Sequence, residues 1–174
     1  MAEDLRGEEA ALVAVQHALA DRPGVLTGAR ALSHFGEHSI GWVAVSALGA
    51  LLQPSRRRAW LAAGAGAFLA HAAAVVIKRV VKRERPQHPA VAVNVGTPSR
   101  LSFPSAHATS TTAASILLAR TTGLPLPVVL VPPMALSRLV LGVHYPSDVL
   151  TGVAVGAVIA KTVGAVADRV GGGS

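Results

Sequence analysis

An all-α fold is what the sequence predicts: a polytopic membrane bundle of about five transmembrane helices plus one short N-terminal amphipathic helix. Three observations predict it. Only 14% of the 174 residues are charged, against about 25% in an average soluble domain, so charge is too scarce to cover a water-facing surface. Hydrophobic residues reach 51% and the mean hydropathy is +0.49. Several uncharged runs approach the roughly 20 residues a helix needs to cross hydrocarbon. The length suits one domain, taken as 1–170, with the Gly-rich 171–174 set aside as a linker-like scar. Aromatics at 3% exclude a large aromatic core, and low charge excludes disorder. The absence of cysteine excludes disulfides, thiolate zinc sites and a cysteine nucleophile.

Residues 1–10 carry no basic n-region and no small-residue cleavage site, so no secretory signal is expected there. Over 8–21, Leu12, Val13, Val15, Ala18 and Leu19 recur at helical spacing in a stretch too short to span, the amphipathic helix of the prediction. The run 39–52 is the first span, open to borrowing residues from either end, followed by a basic turn at Arg56, Arg57 and Arg58. Residues 59–77 make the second, expected to continue helically to about Glu84, because Pro86 stops it. A Pro-rich loop over 87–104 is too long for a simple turn and is a functional suspect. The Thr-, Ser- and Ala-rich 105–119 reads as a helix enclosed by protein. Gly123 and Pro125 turn the chain, 126–143 spans with Pro132 and Pro133 inside it, and 148–166 closes the set. Gly152 and Gly156 stand four apart, a spacing that lets membrane helices approach closely.

The net charge of +7 raises nucleic acid as a partner, but the basic residues bunch beside apolar runs and aromatics for stacking are scarce. Lipid headgroups or an anionic substrate at the membrane surface fit better, and no nucleic-acid partner is expected. Basic residues flank both ends of the spans, so the positive-inside rule leaves the orientation open.

Three clusters carry chemistry, and the span count puts them on one membrane face. Lys78 and Arg85, seven apart, fall on one side of a helix two turns from each other. Ser105, in Pro104-Ser105-Ala106-His107, stands where a loop enters a helix, a good N-cap whose free N–H groups make an anion site. Ser137-Arg138 leads through a turn to His144 and Asp148, with Pro146 where a helix begins. Arg85 and Arg138 can each grip phosphate bidentately, and Lys78 adds a point charge. Ser105 and the helix N-terminus complete the cradle. His144 is a nucleophile candidate oriented by Asp148, and His107 is placed as general acid.

The segments Lys78-x6-Arg85-Pro86, Pro104-Ser105-Ala106-His107 and Ser137-Arg138-x5-His144-x3-Asp148 resemble the three-part signature of the type 2 phosphatidic acid phosphatase superfamily, which also holds the vanadium haloperoxidases. The resemblance covers about residues 30–167. It implies that His144 forms a phosphohistidine, Asp148 supports it, His107 protonates the leaving group, and Lys78, Arg85, Ser105, Ala106 and Arg138 hold phosphate. The family usually has Gly where this chain has Ala106, which narrows the cradle. The short length, Ala106 and the segment Leu32-Ser33-His34-Phe35-Gly36-Glu37-His38 resemble an actinobacterial branch that removes the 5-phosphate of a polyprenyl-linked ribose in cell-wall arabinan precursor synthesis. Undecaprenyl diphosphate, phosphatidylglycerophosphate and phosphatidic acid stay open as alternative substrates.

Each residue also has a plainer reading. Lys78 alone reads as a snorkelling helix end, Ser105 as a cap, and His71 as a packed histidine in an apolar helix. His34 and His38, just before the first span, are candidates for substrate contact. No metal-ligand spacing appears, and the cationic cradle repels a divalent ion, so neither metal nor other cofactor is expected. The expected location is the plasma membrane, multi-pass, with a lipid-linked phosphate as substrate. A non-enzymatic lipid-phosphate transporter needs the same cradle but no nucleophile.

Overall fold

The computed structural model describes residues 5 and 7–171, and among them every regular element is a helix, with one isolated bridge between Glu84 and Leu101. Helix α1 (Gly7–Leu19) opens with Glu8 and Glu9, whose charges suit a helix N-terminus. It buries Leu12, Val13 and Gln16 against the bundle. Next come α2 (Val25–Gly36) and α3 (Ile40–Leu52), joined by a single 3₁₀ turn, Glu37–Ser39. His38 and Ser39 hold positive φ there, 48° and 59°, which sets the bend between the two helices. Helix α4 (Arg57–Val81) is followed by the long loop 82–105, then α5 (Ala106–Thr122), α6 (Leu126–Val140) and α7 (Pro146–Gly171).

The enclosed element is α5, packed against α4, α6 and α7. Its Thr109, Ser110, Thr111, Thr112 and Ser115 are buried, as the composition predicts. Thr109 and Ser115 return their hydroxyl protons to backbone carbonyls of Ser105 and Thr112. The other helices come close through small residues: Ala63, Ala67 and Ala70 on α4 meet Ala113, Ala114 and Leu117 on α5 in one core. A Cβ on Gly152 would stand 2.7 Å from the Ser105 carbonyl, and one on Gly156 would strike that of Thr109. The glycine pair therefore seats α7 on α5, as the spacing predicts.

Outward faces are apolar. Leu48, Leu51, Phe68, Val128, Leu150 and Val158 are all more than half exposed, a surface suited to lipid and not to water. Three stretches are long and apolar enough to cross a membrane: Val25–Leu52, Pro54–Val81 and Pro146–Val170. The shorter Leu126–Val140 is apolar too. Helices thus stand at all five predicted positions, but length and apolarity single out three of them.

Two sequence expectations need correction. The first span extends back from residue 39 as far as Val25, the polar His34, Glu37 and His38, which line the cavity from exposed positions, having masked the helix before it. Helix α4 ends at Val81 and not near Glu84, with Lys82 in the left-handed region at φ 55°. The backbone beyond it pairs with the far end of the loop: Arg85 N–H donates to the Arg100 carbonyl and Ser102 N–H to that of Arg83. Lys78 and Arg85 therefore do not share a helix face.

Candidate active site

A cavity of about 600 Å³ opens at the end of the bundle where α4 and α6 finish and α5 and α7 begin. That volume lies within the usual range for small-ligand sites. Lys78, Arg85, Ala106, His107, Arg138 and His144 all reach its wall, and His34 and His38 line its α2 side. All three sequence clusters meet here, on one face of the bundle.

Each cation is held by oxygen acceptors. Lys78 Nζ donates to the carbonyls of Ser102, at 2.7 Å, and Leu101, at 3.2 Å. Arg85 Nε donates to the Ser99 carbonyl, and its Nη1 to that of Val143. Arg138, only 2% exposed, gives Nε to Ser137 Oγ and Nη1 to Ser33 Oγ, each at 3.1 Å. Carbonyls and hydroxyls orient these heads without cancelling their charge, which stays available to an anion. Burial pushes the Arg85 guanidinium down to about 10, still well above neutral pH.

His144 sits in the turn before α7, buried, with Nε2 3.3 Å from Arg85 Nη1. A guanidinium only donates, so Nε2 bears the lone pair and Nδ1 the proton, an assignment from the hydrogen-bond pattern. Nδ1 faces Asp148 Oδ2 at 3.6 Å, just beyond hydrogen-bond length. Burial first, then the charges of Arg85, Lys78 and Arg138, hold the imidazole well below its ordinary value. At neutral pH the ring is therefore unprotonated at Nε2, the state a nucleophile requires.

Asp148 is wholly buried behind the cavity wall. Its Oδ2 accepts the Tyr145 N–H at 2.8 Å and its Oδ1 the guanidinium of Arg83 at 3.1 Å. Arg83 also grips Glu8 at 2.6 Å and lies over the Tyr145 ring, so α1 is tied to the site. Ser105 is likewise fully buried: its hydroxyl accepts the Ala108 N–H as the α5 cap and does not reach the cavity wall. The α5 N-terminus meets the cavity through Ala106 and His107 instead. His107 Nε2 donates to the Ser33 carbonyl at 2.9 Å.

Two participants escape the sequence reading. Ser33 holds both His107 and Arg138, yet belongs to none of the three clusters; only its place in the 32–38 segment hints at it. Arg83 looks like one more cation beside a helix end, although it compensates the buried Asp148. Among the described residues no three His, Asp or Glu side chains converge as a metal site. The donors gathered here, lysine and arginine heads around two imidazoles, suit an anion.

A helical membrane bundle with a cationic pocket and a buried histidine beside its arginines at one end defines the class. Residues 59–170 match the PAP2 superfamily, and the chain belongs to that superfamily. It is 80% identical over 152 residues to the decaprenylphosphoryl-5-phosphoribose phosphatase of Mycolicibacterium smegmatis, spanning 87% of this chain and 84% of that one. With the enzyme of the same name from Mycobacterium tuberculosis the identity is 71% over 168 residues, 97% of this chain and 93% of the relative. The crystal structure of a transmembrane PAP2-type phosphatidylglycerolphosphate phosphatase from Bacillus subtilis shares the fold. Its TM-score is 0.72 at 20% identity, covering 92% of this chain and 86% of that one.

Proposed function

We propose that this protein is a membrane phosphatase that hydrolyses a lipid-linked phosphate monoester, with decaprenylphosphoryl-5-phosphoribose as its substrate. The observation that carries the reaction is the His144 Nε2 lone pair held against Arg85 in a cationic cavity. The substrate follows from the 71–80% identity to the mycobacterial phosphatases of that name.

In this reading Arg85, Arg138 and Lys78 take the three peripheral oxygens of the 5-phosphate, drawing Arg85 Nη1 away from His144. Nε2 then attacks phosphorus and the bond from phosphorus to the ribose 5-oxygen breaks. The departing oxygen takes a proton from His107, which acquires its second proton from solvent once the phosphate dianion offsets the charge of Arg138 beside it. Asp148 accepts the Nδ1 proton of His144 more closely as positive charge grows on the ring. Water next attacks the phosphohistidine and gives its proton to His107, releasing inorganic phosphate and returning His144 to imidazole and His107 to imidazolium. No step needs a metal ion, since the cations of the protein neutralise the phosphoryl charge. The prenyl chain stays in the bilayer throughout.

The test is phosphate release by detergent-purified protein in EDTA. The substrate panel is polyprenylphosphoryl-5-phosphoribose, undecaprenyl diphosphate, phosphatidylglycerophosphate and phosphatidic acid. Turnover is expected to survive EDTA, to favour the phosphoribose lipid, and to fall by about 10³-fold or more in His144→Ala. Phosphate binding without turnover on any member would make the cradle a transporter's binding site. Preference for another lipid would reassign the substrate.

A further inference from the structure

The phosphate cradle does not use all of the cavity's charge. Among the described residues four cations line it, Lys78, Arg79, Arg85 and Arg138, against one carboxylate, Glu37. Asp148 lies outside the lining and is compensated by Arg83. A phosphomonoester brings about two negative charges at neutral pH, one short of the surplus. The unassigned cation is Arg79. It follows Lys78 on α4, a step of about 100° around the helix, so it stands at the rim and not beside the Lys78 head. It is exposed, and among the described residues it makes no hydrogen bond or ion pair. On α4, Arg79 neighbours Val76 and Val80, which are 60% and 75% exposed, lie outside the cavity lining and share one apolar face four residues apart.

We infer that Arg79 is a second anion subsite, binding the phosphodiester that links the sugar to the prenyl chain while the 5-phosphate occupies the deep cradle. This rests on the phosphatase reading above and adds its specificity element. The phosphoribose lipid carries two phosphoryl groups on one sugar, a monoester and a diester, and the diester is where the apolar chain begins. A cation at the rim beside a lipid-facing strip meets that order of groups: deep dianion, sugar, rim monoanion, hydrocarbon. The total of about three negative charges equals the surplus the lining provides. Enzymes that accept a lipid with only a terminal phosphate have no need of this cation. Arg79 is then a binding residue that selects substrate, apart from the reacting atoms.

The test compares two substrates in detergent free of phospholipid: prenylphosphoryl-5-phosphoribose and methyl 5-phosphoriboside, which lacks the diester. Arg79→Gln is expected to lower the kcat/KM preference for the first over the second by about tenfold, chiefly through KM, as loss of one charge-assisted contact does. Arg79→Lys should recover part of it. A second arm needs no turnover: the dephosphorylated product, prenylphosphoryl-ribose, should bind Arg79→Gln at least about fivefold more weakly than the unaltered protein. An unchanged preference or unchanged product affinity would overturn the subsite. So would an effect confined to phospholipid vesicles, which would assign Arg79 to bilayer headgroups. Failure of the unaltered protein to hydrolyse either substrate would sink the phosphatase reading, while the product-binding arm would still judge Arg79.

Discussion

The chemistry of single residues here is governed by how burial handles charge. His144 is surrounded by three cations and buried, and both effects oppose a second proton on the ring. Unfolded, the same imidazole titrates near 6.5. Between that value and the lower folded one, the unfolded chain binds a proton the folded chain refuses, so acidification favours unfolding. The contribution of His144 to stability is thus complete above about pH 7 and is lost as pH falls below 6.5. The expected result is a thermal midpoint that drops on acidification below 6.5, with a shallower drop in His144→Gln. The same depression keeps His144 unprotonated in mild acid. The His144 limb of kcat/KM is therefore expected below pH 6.5, once the substrate's own ionisation near pH 6 is accounted for. An acid-side enzyme limb at or above 6.5 would contradict the electrostatics described. Arg83 shows the complementary case, since a buried carboxylate needs a compensating cation and Asp148 has one.

Among the elements, the helices were legible wherever an apolar run has one environment. The α5 stretch declared itself enclosed through its Thr and Ser content, and Pro146 marked the start of α7. Legibility failed where partners are distant in sequence. Nothing within residues 78–86 shows that Arg83 and Arg85 pair their backbone with residues 100–102. The helix consequently ends at Val81, and a same-face relation of Lys78 to Arg85 inferred from helical spacing is not realised. His34 and Glu37 likewise read as the flank of a span, because hydropathy cannot show that exposed polar residues there line a cavity. The small-residue pair on α7 did carry over. A leucine at position 156 would drive a side chain into the α5 backbone at Thr109, and backbone cannot yield as a side-chain tip can. Gly156→Leu is expected to destabilise the bundle by about 1–3 kcal/mol or more, read as a lowered thermal midpoint in detergent. Gly28→Leu, whose Cβ meets nothing within 4 Å, should cost far less and serves as the control.

At the scale of the whole molecule, the charge distribution divides the bundle into a lipid-facing belt and two basic ends. One end gathers Arg56, which donates to the Thr121 carbonyl, and Arg120, paired with Asp168 at 2.7 Å. The other holds the cavity, the loop 82–105 and α1, with Gln16 bridging the loop and α6 through Ala92 and Val140. With both ends basic, charge bias gives no orientation. The separation of the ends nevertheless makes a prediction that needs no knowledge of which side is which. The chain has no cysteine, so a single introduced one reports its own position without background. Ser55→Cys, in the exposed turn before α4, and Thr97→Cys, in the exposed loop beside the cavity, stand at opposite ends of α4. In sealed vesicles an impermeant maleimide should label one of the two before lysis and the other only after it. Both substitutions are at exposed positions and should leave the fold intact, so labelling of both from one side would refute α4 as a membrane span. Opposite labelling would place the cavity at one membrane surface, where a prenyl chain can remain in the bilayer while its phosphorylated sugar enters from the interface.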